Sequence, residues 1–83
     1  MVNGMYSVFD TKTSVYSPPF VARNQYDAIR MVRQLLDEKQ ANPAKYPMEF
    51  ALFHIGDWDD EHGVVACPPA PRSLGLLSEF VSI

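Results

Sequence analysis

Arginine and tyrosine side chains that can hold a single-stranded nucleic acid cluster in the first half of this sequence. The stretch NQYDAIRMVRQLLDE, residues 24–38, carries two arginines, and a third directly precedes it. Arginine binds phosphate through paired hydrogen bonds, and aromatic rings stack on bases without reading their sequence. These residue types therefore predict a weak contact with a single strand. The candidate nucleic-acid-binding residues are Lys12, Tyr16, Arg23, Tyr26, Arg30 and Arg33.

The same arginines have a second interpretation, as solvent-exposed helix residues that have no binding role. Arg33 and Asp37 are four residues apart, and Asp27 and Arg30 are three apart. At these spacings, surface ion pairs stabilise a helix by a few tenths of a kcal/mol. The net charge of the chain is -3, with +1 in residues 1–40 and -4 in residues 41–83. An anion-binding surface must therefore be local and come from the first half, and both interpretations stay open.

Acidic residues cluster in DWDDEH, residues 57–62, which contains four carboxylates and a histidine. Asp57 and Asp59 match the first alternate ligand positions of a calcium loop, but no glutamate closes the shell in the required register. A solvated turn that discourages edge-to-edge aggregation is the favoured interpretation. We therefore expect that calcium, magnesium and zinc leave the stability unchanged, and we expect no cofactor. A small metal-dependent enzyme that uses this segment is the weakest alternative.

Catalytic motifs are not recognisable in the sequence. His54, His62 and Cys67 match no zinc-binding spacing, and VVACPPAP places no base beside the cysteine. There is no phosphate-binding glycine loop and no G-x-S-x-G. The lone cysteine suits a reducing compartment. We therefore expect a protein that is not an enzyme.

Length and composition indicate a single domain, residues 1–83. The hydrophobic fraction is 47%, which is too high for a disordered chain, yet no apolar run is long enough to span a membrane. The start MVNGMYSVFD lacks the basic residues and apolar core of a signal peptide. We expect the protein to stay where it is made, without a membrane partner.

The hydrophobic pattern predicts an α+β fold. A small, mainly antiparallel sheet of about four strands, in ββαββ order, packs on one long helix over residues 25–40. Asn24 suits the N-cap, and Ala28, Ile29, Met31, Val32, Leu35 and Leu36 form one apolar face. Tyr26, Arg30, Arg33 and Asp37 lie opposite. The chain ends in a short helical turn after Ser73 or in an extended arm.

The strands are predicted at residues 5–10, at VYS before Pro18 and Pro19, at residues 48–55 and at VVAC. Prolines donate no backbone hydrogen bond, so the second strand must be short or lie at an edge. Residues 48–55 are apolar on both faces, which predicts a central strand with the helix on one side. In so small a domain, a second copy of the chain is the expected cover of the other side, and we predict a homodimer.

Three stretches, taken in order, resemble a known family. They are YSVFDTKTSVYSPPFVARNQYDAIRMVRQLL, FALFHIGDWDDEHG and PRSLGLLSEF. The sequence is similar to the small non-structural protein of gokushovirus-type microviruses, which are single-stranded DNA phages. The family pattern has an opening strand of YSVYD-K type, a PF and an A before a helix, an aromatic strand running into IG-(F/Y/W)D---G, and a closing P-SLG---EF.

The resemblance implies a protein of the host cytoplasm that is not part of the virion. The family is often described as DNA-binding, and a role in phage DNA synthesis or packaging follows. We therefore expect a non-enzymatic accessory protein that acts in single-stranded DNA synthesis, replication control or genome packaging through weak single-stranded DNA binding. Phage replication or procapsid proteins are further expected partners. The alternative is a protein–protein adaptor or assembly factor with no nucleic-acid contact.

Overall fold

The computed structural model describes residues 1–37 and 45–80. These ranges contain six β-strands, one α-helix and two short 3-10 turns. The strands are β1 (Val2–Asp10), β2 (Val15–Tyr16), β3 (Phe20–Ala22), β4 (Phe50–Asp59), β5 (Val64–Ala66) and β6 (Arg72–Leu76). The helix α1 spans Gln25–Leu36, and the 3-10 turns span Pro47–Glu49 and Leu77–Glu79.

The sheet is antiparallel and is centred on its two long strands. β1 and β4 pair along their whole lengths, from Val2 opposite Asp59 to Asp10 opposite Phe50, with one irregularity next to Tyr6. β2 and β3 pair with the free edge of β1. β5 and β6 pair with the free edge of β4. The central position predicted for the strand at residues 48–55 is confirmed for β4, although β4 begins at Phe50 and continues to Asp59.

The predicted ββαββ order with about four strands is wrong, because each outer row of the sheet is broken in two. The observed order is βββαβββ. Pro18 and Pro19 separate β2 from β3, and the PPAP segment, residues 68–71, separates β5 from β6. Proline supplies no N–H for the ladder, so pairing stops and resumes beyond it. The second strand is short and lies at an edge, as the prolines predict.

The helix begins at the predicted residue but ends earlier than predicted. The Asn24 side chain accepts a hydrogen bond from the backbone N–H of Asp27 at 2.9 Å, which caps the first turn. The helix ends at Leu36, with Asp37 as the C-cap. Leu36 is the last apolar residue of the buried stripe, and Asp37 is exposed, so no apolar contact extends the helix. The rest of the predicted helix, residues 38–40, lies outside the described residues.

The hydrophobic core lies between α1 and one face of the sheet. Its buried members are Tyr6, Val8, Ala22, Ala28, Val32, Phe50, Leu52, Leu77 and Phe80. Ile29 and Leu36 pack against it, in agreement with the predicted apolar face. Met31 was predicted to belong to that face, but its side chain is 42% exposed. It lies at the margin of the stripe, where the sheet no longer covers the helix.

Every second residue of the strands points away from the helix and forms what we call the open sheet face. Its main members are Met5, Phe9, Tyr16, Phe53, Trp58 and Val65, as the strand pairing places them opposite one another. The rings of Phe9, Tyr16 and Phe53 form a cluster, with centroids 4.5–5.6 Å apart. The apolar character predicted for both faces of residues 48–55 holds for the first half of β4, whereas its second half carries Asp57 and Asp59 on the helix side.

The C-terminal segment forms a strand as well as a helical turn. β6 pairs with β4, which the sequence analysis missed, and the expected turn follows at Leu77–Glu79. Leu77 and Phe80 are buried in the core. The backbone groups of a strand edge need hydrogen-bond partners, and β6 supplies them to the first half of β4. The end at residues 81–83 lies outside the described residues. None of the helical segments described is both long and apolar enough to cross a membrane.

Candidate nucleic-acid interface

The outward surface of α1 carries most of the candidate binding residues. Tyr26, Arg30 and Arg33 are spaced by four and three residues, which places them on one helix face. All three are exposed, and the Tyr26 side chain is 73% exposed although it is aromatic. Arg23 lies just before the helix and on the same side. We call Arg23, Tyr26, Arg30 and Arg33 the helix stripe.

Asp27, like Asp37, is an acidic residue beside this stripe, and the partner of Asp27 differs from the one that the sequence spacing suggested. The Nε of Arg23 donates to the Asp27 carboxylate at 2.9 Å. Asp27 therefore pairs with the residue four positions before it and not with Arg30. The Arg23 side chain is 71% exposed, so solvent screens the pair and its contribution to stability is at most about 1 kcal/mol. Arginine in such a pair remains available for exchange onto a phosphate.

A shallow pocket of about 360 Å³ joins the start of the helix to β3. It is lined by Arg23, Asp27 and Arg30 on the helix side and by Asn3 and Val21 on the sheet side. The pocket therefore brings two arginines, and the aspartate that pairs with Arg23, to one wall, beside a polar amide and a valine on the other. The guanidinium groups of Arg23 and Arg30 suit a ligand with an anionic group, and Val21 offers an apolar contact beside them.

Lys12 and Tyr16 are not brought to the helix stripe. Lys12 lies in the exposed turn between β1 and β2. Tyr16 lies opposite Phe9 on the open sheet face, where its ring packs on those of Phe9 and Phe53. Strand alternation explains this separation, because Phe9 points away from the helix and its partner must do the same. The structure therefore gathers four of the six predicted residues on one surface.

Four polar groups meet on the helix side of the sheet, at Tyr6, His54, Asp57 and Arg72. The Nε2 of His54 lies 3.0 Å from the Asp57 carboxylate, and the His54 ring packs 5.3 Å from that of Tyr6. Burial raises the pKa of the Tyr6 phenol, and the nearby Asp57 raises it further. The phenol therefore stays neutral at physiological pH, which suits a packing role over Gly4.

The acidic turn holds the Asp59 carboxylate in contacts with residues of the turn itself. The Asp59 carboxylate accepts hydrogen bonds from the backbone N–H groups of Glu61 and His62, and it lies 2.8 Å from the His62 ring. The His62 contact, followed by the backbone bonds, lowers the pKa of Asp59. Gly63 follows with φ 64°, a positive φ that glycine adopts without steric cost. Within residues 1–37 and 45–80, no group of three His, Cys, Asp or Glu side chains is placed to hold a metal ion.

An apolar groove of about 520 Å³ lies between the second half of α1 and the β1–β2 hairpin. Met31 and Leu35 form its helix wall, and Val15, Pro18 and Phe20 form its sheet wall. The sequence pattern does not predict this groove, because helical spacing assigns Met31 and Leu35 to the buried face. The spacing of these two residues, at the edge of the apolar stripe, was the available signal.

The fold and the site together define a small α+β protein in which a curled antiparallel sheet carries a helix with a basic outer surface. Residues 3–80 match the family described as Phage ORF5 protein. The chain therefore belongs to this family of phage proteins, which agrees with the phage origin that the sequence resemblance implied. No curated protein and no solved structure matches the chain.

Proposed function

We propose that this phage protein is a non-enzymatic accessory protein of a single-stranded DNA phage of the gokushovirus type. It acts in the host cytoplasm, outside the virion, in single-stranded DNA synthesis, replication control or genome packaging. Its contact with the DNA is the helix stripe. The family membership supports the phage setting, and the helix stripe supports the DNA contact.

The observation that carries this proposal is the exposure of Tyr26 among arginines. An aromatic ring that is 73% exposed adds nothing to the core, and it lies one helical turn from Arg30. Stacking on an aromatic ring contributes about 1–3 kcal/mol per base, and the arginines bind the phosphates on either side. The binding is weak because the net charge of -3 repels DNA from the rest of the surface.

The test is a charge reversal on the stripe with a charge-matched control. Arg30→Glu with Arg33→Glu changes the net charge by -4, and so does Lys45→Glu with Arg72→Glu away from the stripe. General repulsion weakens both variants equally, so only the additional loss in the first variant reports on the stripe. We expect the stripe variant to lose binding to fluorescent single-stranded DNA, and both variants to keep the circular dichroism spectrum of the unaltered protein.

Salt dependence is the second measurement of the same experiment. Binding of the unaltered protein is expected to weaken by about 0.7 log units per log unit of salt for each phosphate neutralised. Equal binding by the two variants would contradict the proposal. So would the absence of salt-sensitive binding by the unaltered protein.

A protein–protein adaptor without nucleic-acid contact is the second candidate, and the apolar groove beside α1 favours it. Such a groove fits an apolar side chain of a phage replication or procapsid protein. Leu35→Glu would charge this groove without touching the helix stripe. If phage production fails with Leu35→Glu but tolerates the loss of both stripe arginines, the adaptor function replaces DNA binding.

A further inference from the structure

We infer that the open sheet face is the contact surface between two copies of this chain. The sequence predicted a homodimer only from the apolar character of one strand. The structure adds which surface makes the contact, which residues lie on it and which neighbours can serve as controls. The inference concerns self-association alone, so it does not depend on DNA binding.

The first observation is that this face is apolar and uncovered by the described residues. The core cluster lies on the other face of the sheet, under α1. On the open face, Val65 and Tyr16 are 48% and 42% exposed, and Phe9, Phe53 and Trp58 are half-buried.

The second observation is the distribution of charge between the two faces. The ionisable residues other than tyrosine that the six strands carry are Asp10, His54, Asp57, Asp59 and Arg72. The strand register places all five on the helix side. An antiparallel sheet with one solvated face normally carries its polar residues on that face and its apolar residues on the covered one. Here none of the strand residues on the uncovered face is charged, which is the pattern of a surface that a partner covers.

The absence of charge also selects the partner. A single strand of DNA needs cations along its backbone, and this face offers none. Two chains of net charge -3 repel each other least where an uncharged surface meets an uncharged surface, because no like charges are then brought into direct contact. In a two-fold contact the same face meets itself, so an apolar face whose strand residues are uncharged is complementary to its own copy. A second copy of this chain therefore fits the face.

Two adjacent valines on β5 provide the matched test. Val65 lies opposite Trp58 on the open sheet face, and Val64 lies opposite Asp59 on the helix side. Their exposures are similar, at 48% and 53%, so a lysine costs the fold about the same at either position. In a two-fold interface each substitution occurs twice. Val65→Lys therefore places two like charges in the contact, whereas Val64→Lys places none.

Sedimentation without DNA measures the result. We expect the unaltered protein and Val64→Lys to sediment at twice the chain mass at micromolar concentration. Val65→Lys is expected to weaken self-association on the order of 100-fold, because like charges meet in an apolar contact. Thermal melts followed by circular dichroism establish that both variants fold. If Val65→Lys does not fold, Tyr16→Lys repeats the test from the opposite edge of the same face, since Tyr16 lies opposite Phe9.

Three results would overturn the inference. The unaltered protein could sediment as a monomer at 100 µM. Val65→Lys could self-associate as well as Val64→Lys does, which would assign the contact to another surface. The protein could also be monomeric throughout while Val65→Lys loses DNA binding, which would make the open sheet face a nucleic-acid platform instead. Trp58 fluorescence adds an independent signal, because its environment becomes more polar when a dimer that buries it dissociates.

Discussion

At the scale of single residues, Asp59 shows how one side chain organises a turn. Its carboxylate accepts two backbone N–H groups and contacts the His62 ring, and it closes the hairpin between β4 and β5. Each contact favours the ionised carboxylate, which is why the pKa of Asp59 is lowered from its ordinary value of 3.8. Asp59 therefore organises the turn from within, while the neighbouring Asp60 and Glu61 carboxylates contact the amino group of Met1.

The lowered pKa of Asp59 predicts an acid-dependent loss of stability. Since the pKa is lower in the folded state, the ionised carboxylate stabilises the fold above the unfolded value of 3.8, and this contribution disappears as the pH falls through the folded value. Asp59→Asn should remove this part of the pH dependence. His62→Ala should reduce it, because it removes the largest cause of the shift. Urea unfolding at a series of pH values between neutral and acidic measures the effect, and identical acid profiles for all three proteins would contradict it.

At the scale of elements, the two hairpins repeat one turn geometry. The Asp10 carboxylate accepts from the backbone N–H groups of Lys12 and Thr13, as Asp59 does from the equivalent positions of the second turn. The backbone bond that closes each turn is also equivalent, from Ser14 to Asp10 at 2.8 Å and from Gly63 to Asp59 at 2.9 Å. The sequence shows no repeat, because only the two aspartates and the following valines are shared. The second turn has glycine where the first has serine.

Exchanging the residues at the left-handed position should change stability in opposite directions. Ser14 has φ 60° and Gly63 has φ 64°. A side chain in this left-handed region destabilises the folded state by about 1–2 kcal/mol. Glycine avoids this cost, but about half of the gain is offset because glycine has more conformational freedom in the unfolded chain. Ser14→Gly should therefore stabilise the protein by about 0.5–1 kcal/mol, and Gly63→Ala should destabilise it by about the same amount.

Chemical unfolding of both variants beside the unaltered protein checks this prediction. A Cβ at Gly63 meets no atom within 4 Å, so its cost comes from the backbone alone. Gly75 offers a contrast, because φ is 131° there and a Cβ would lie 2.6 Å from the Glu79 carboxylate. A larger loss for Gly75→Ala than for Gly63→Ala is expected. Stabilisation by Gly63→Ala would contradict the assignment of the turn.

The elements that sequence could predict are those with local signals. Asn24 capped the helix as expected, and the strong apolar run marked the central strand β4. The strands β3 and β6 had no such signal, because each is short and forms only by pairing with a long strand distant in sequence. The helix stripe followed from helical spacing. The position of Tyr16 could not be predicted in this way, because strand register, and not proximity in sequence, decides on which face of the sheet its side chain lies.

At the scale of the whole molecule, the helix stripe and the open sheet face lie on opposite sides of the sheet. This arrangement separates the two proposed contacts. If two copies meet through their open sheet faces, both α1 helices lie on the outside, and the dimer presents two helix stripes. Self-association then leaves the helix stripe of each chain accessible, and the dimer has two DNA contacts where the monomer has one. A single long DNA strand that reaches both stripes binds the second one at high effective concentration.

Oligonucleotide length therefore distinguishes the dimer from the monomer. A strand of about 8 nucleotides occupies one stripe only, so the unaltered protein and Val65→Lys should bind it with the same affinity per chain. A strand of roughly 60 nucleotides can reach both stripes of a dimer, and the unaltered protein should bind it at least about tenfold more tightly than the monomeric variant does. Val64→Lys is the control, because it adds the same charge and keeps the dimer. Fluorescence anisotropy at protein concentrations where the unaltered protein is dimeric gives all the affinities. If Val65→Lys binds the long strand as tightly as Val64→Lys does, the two stripes do not act together, and self-association serves another purpose than DNA binding.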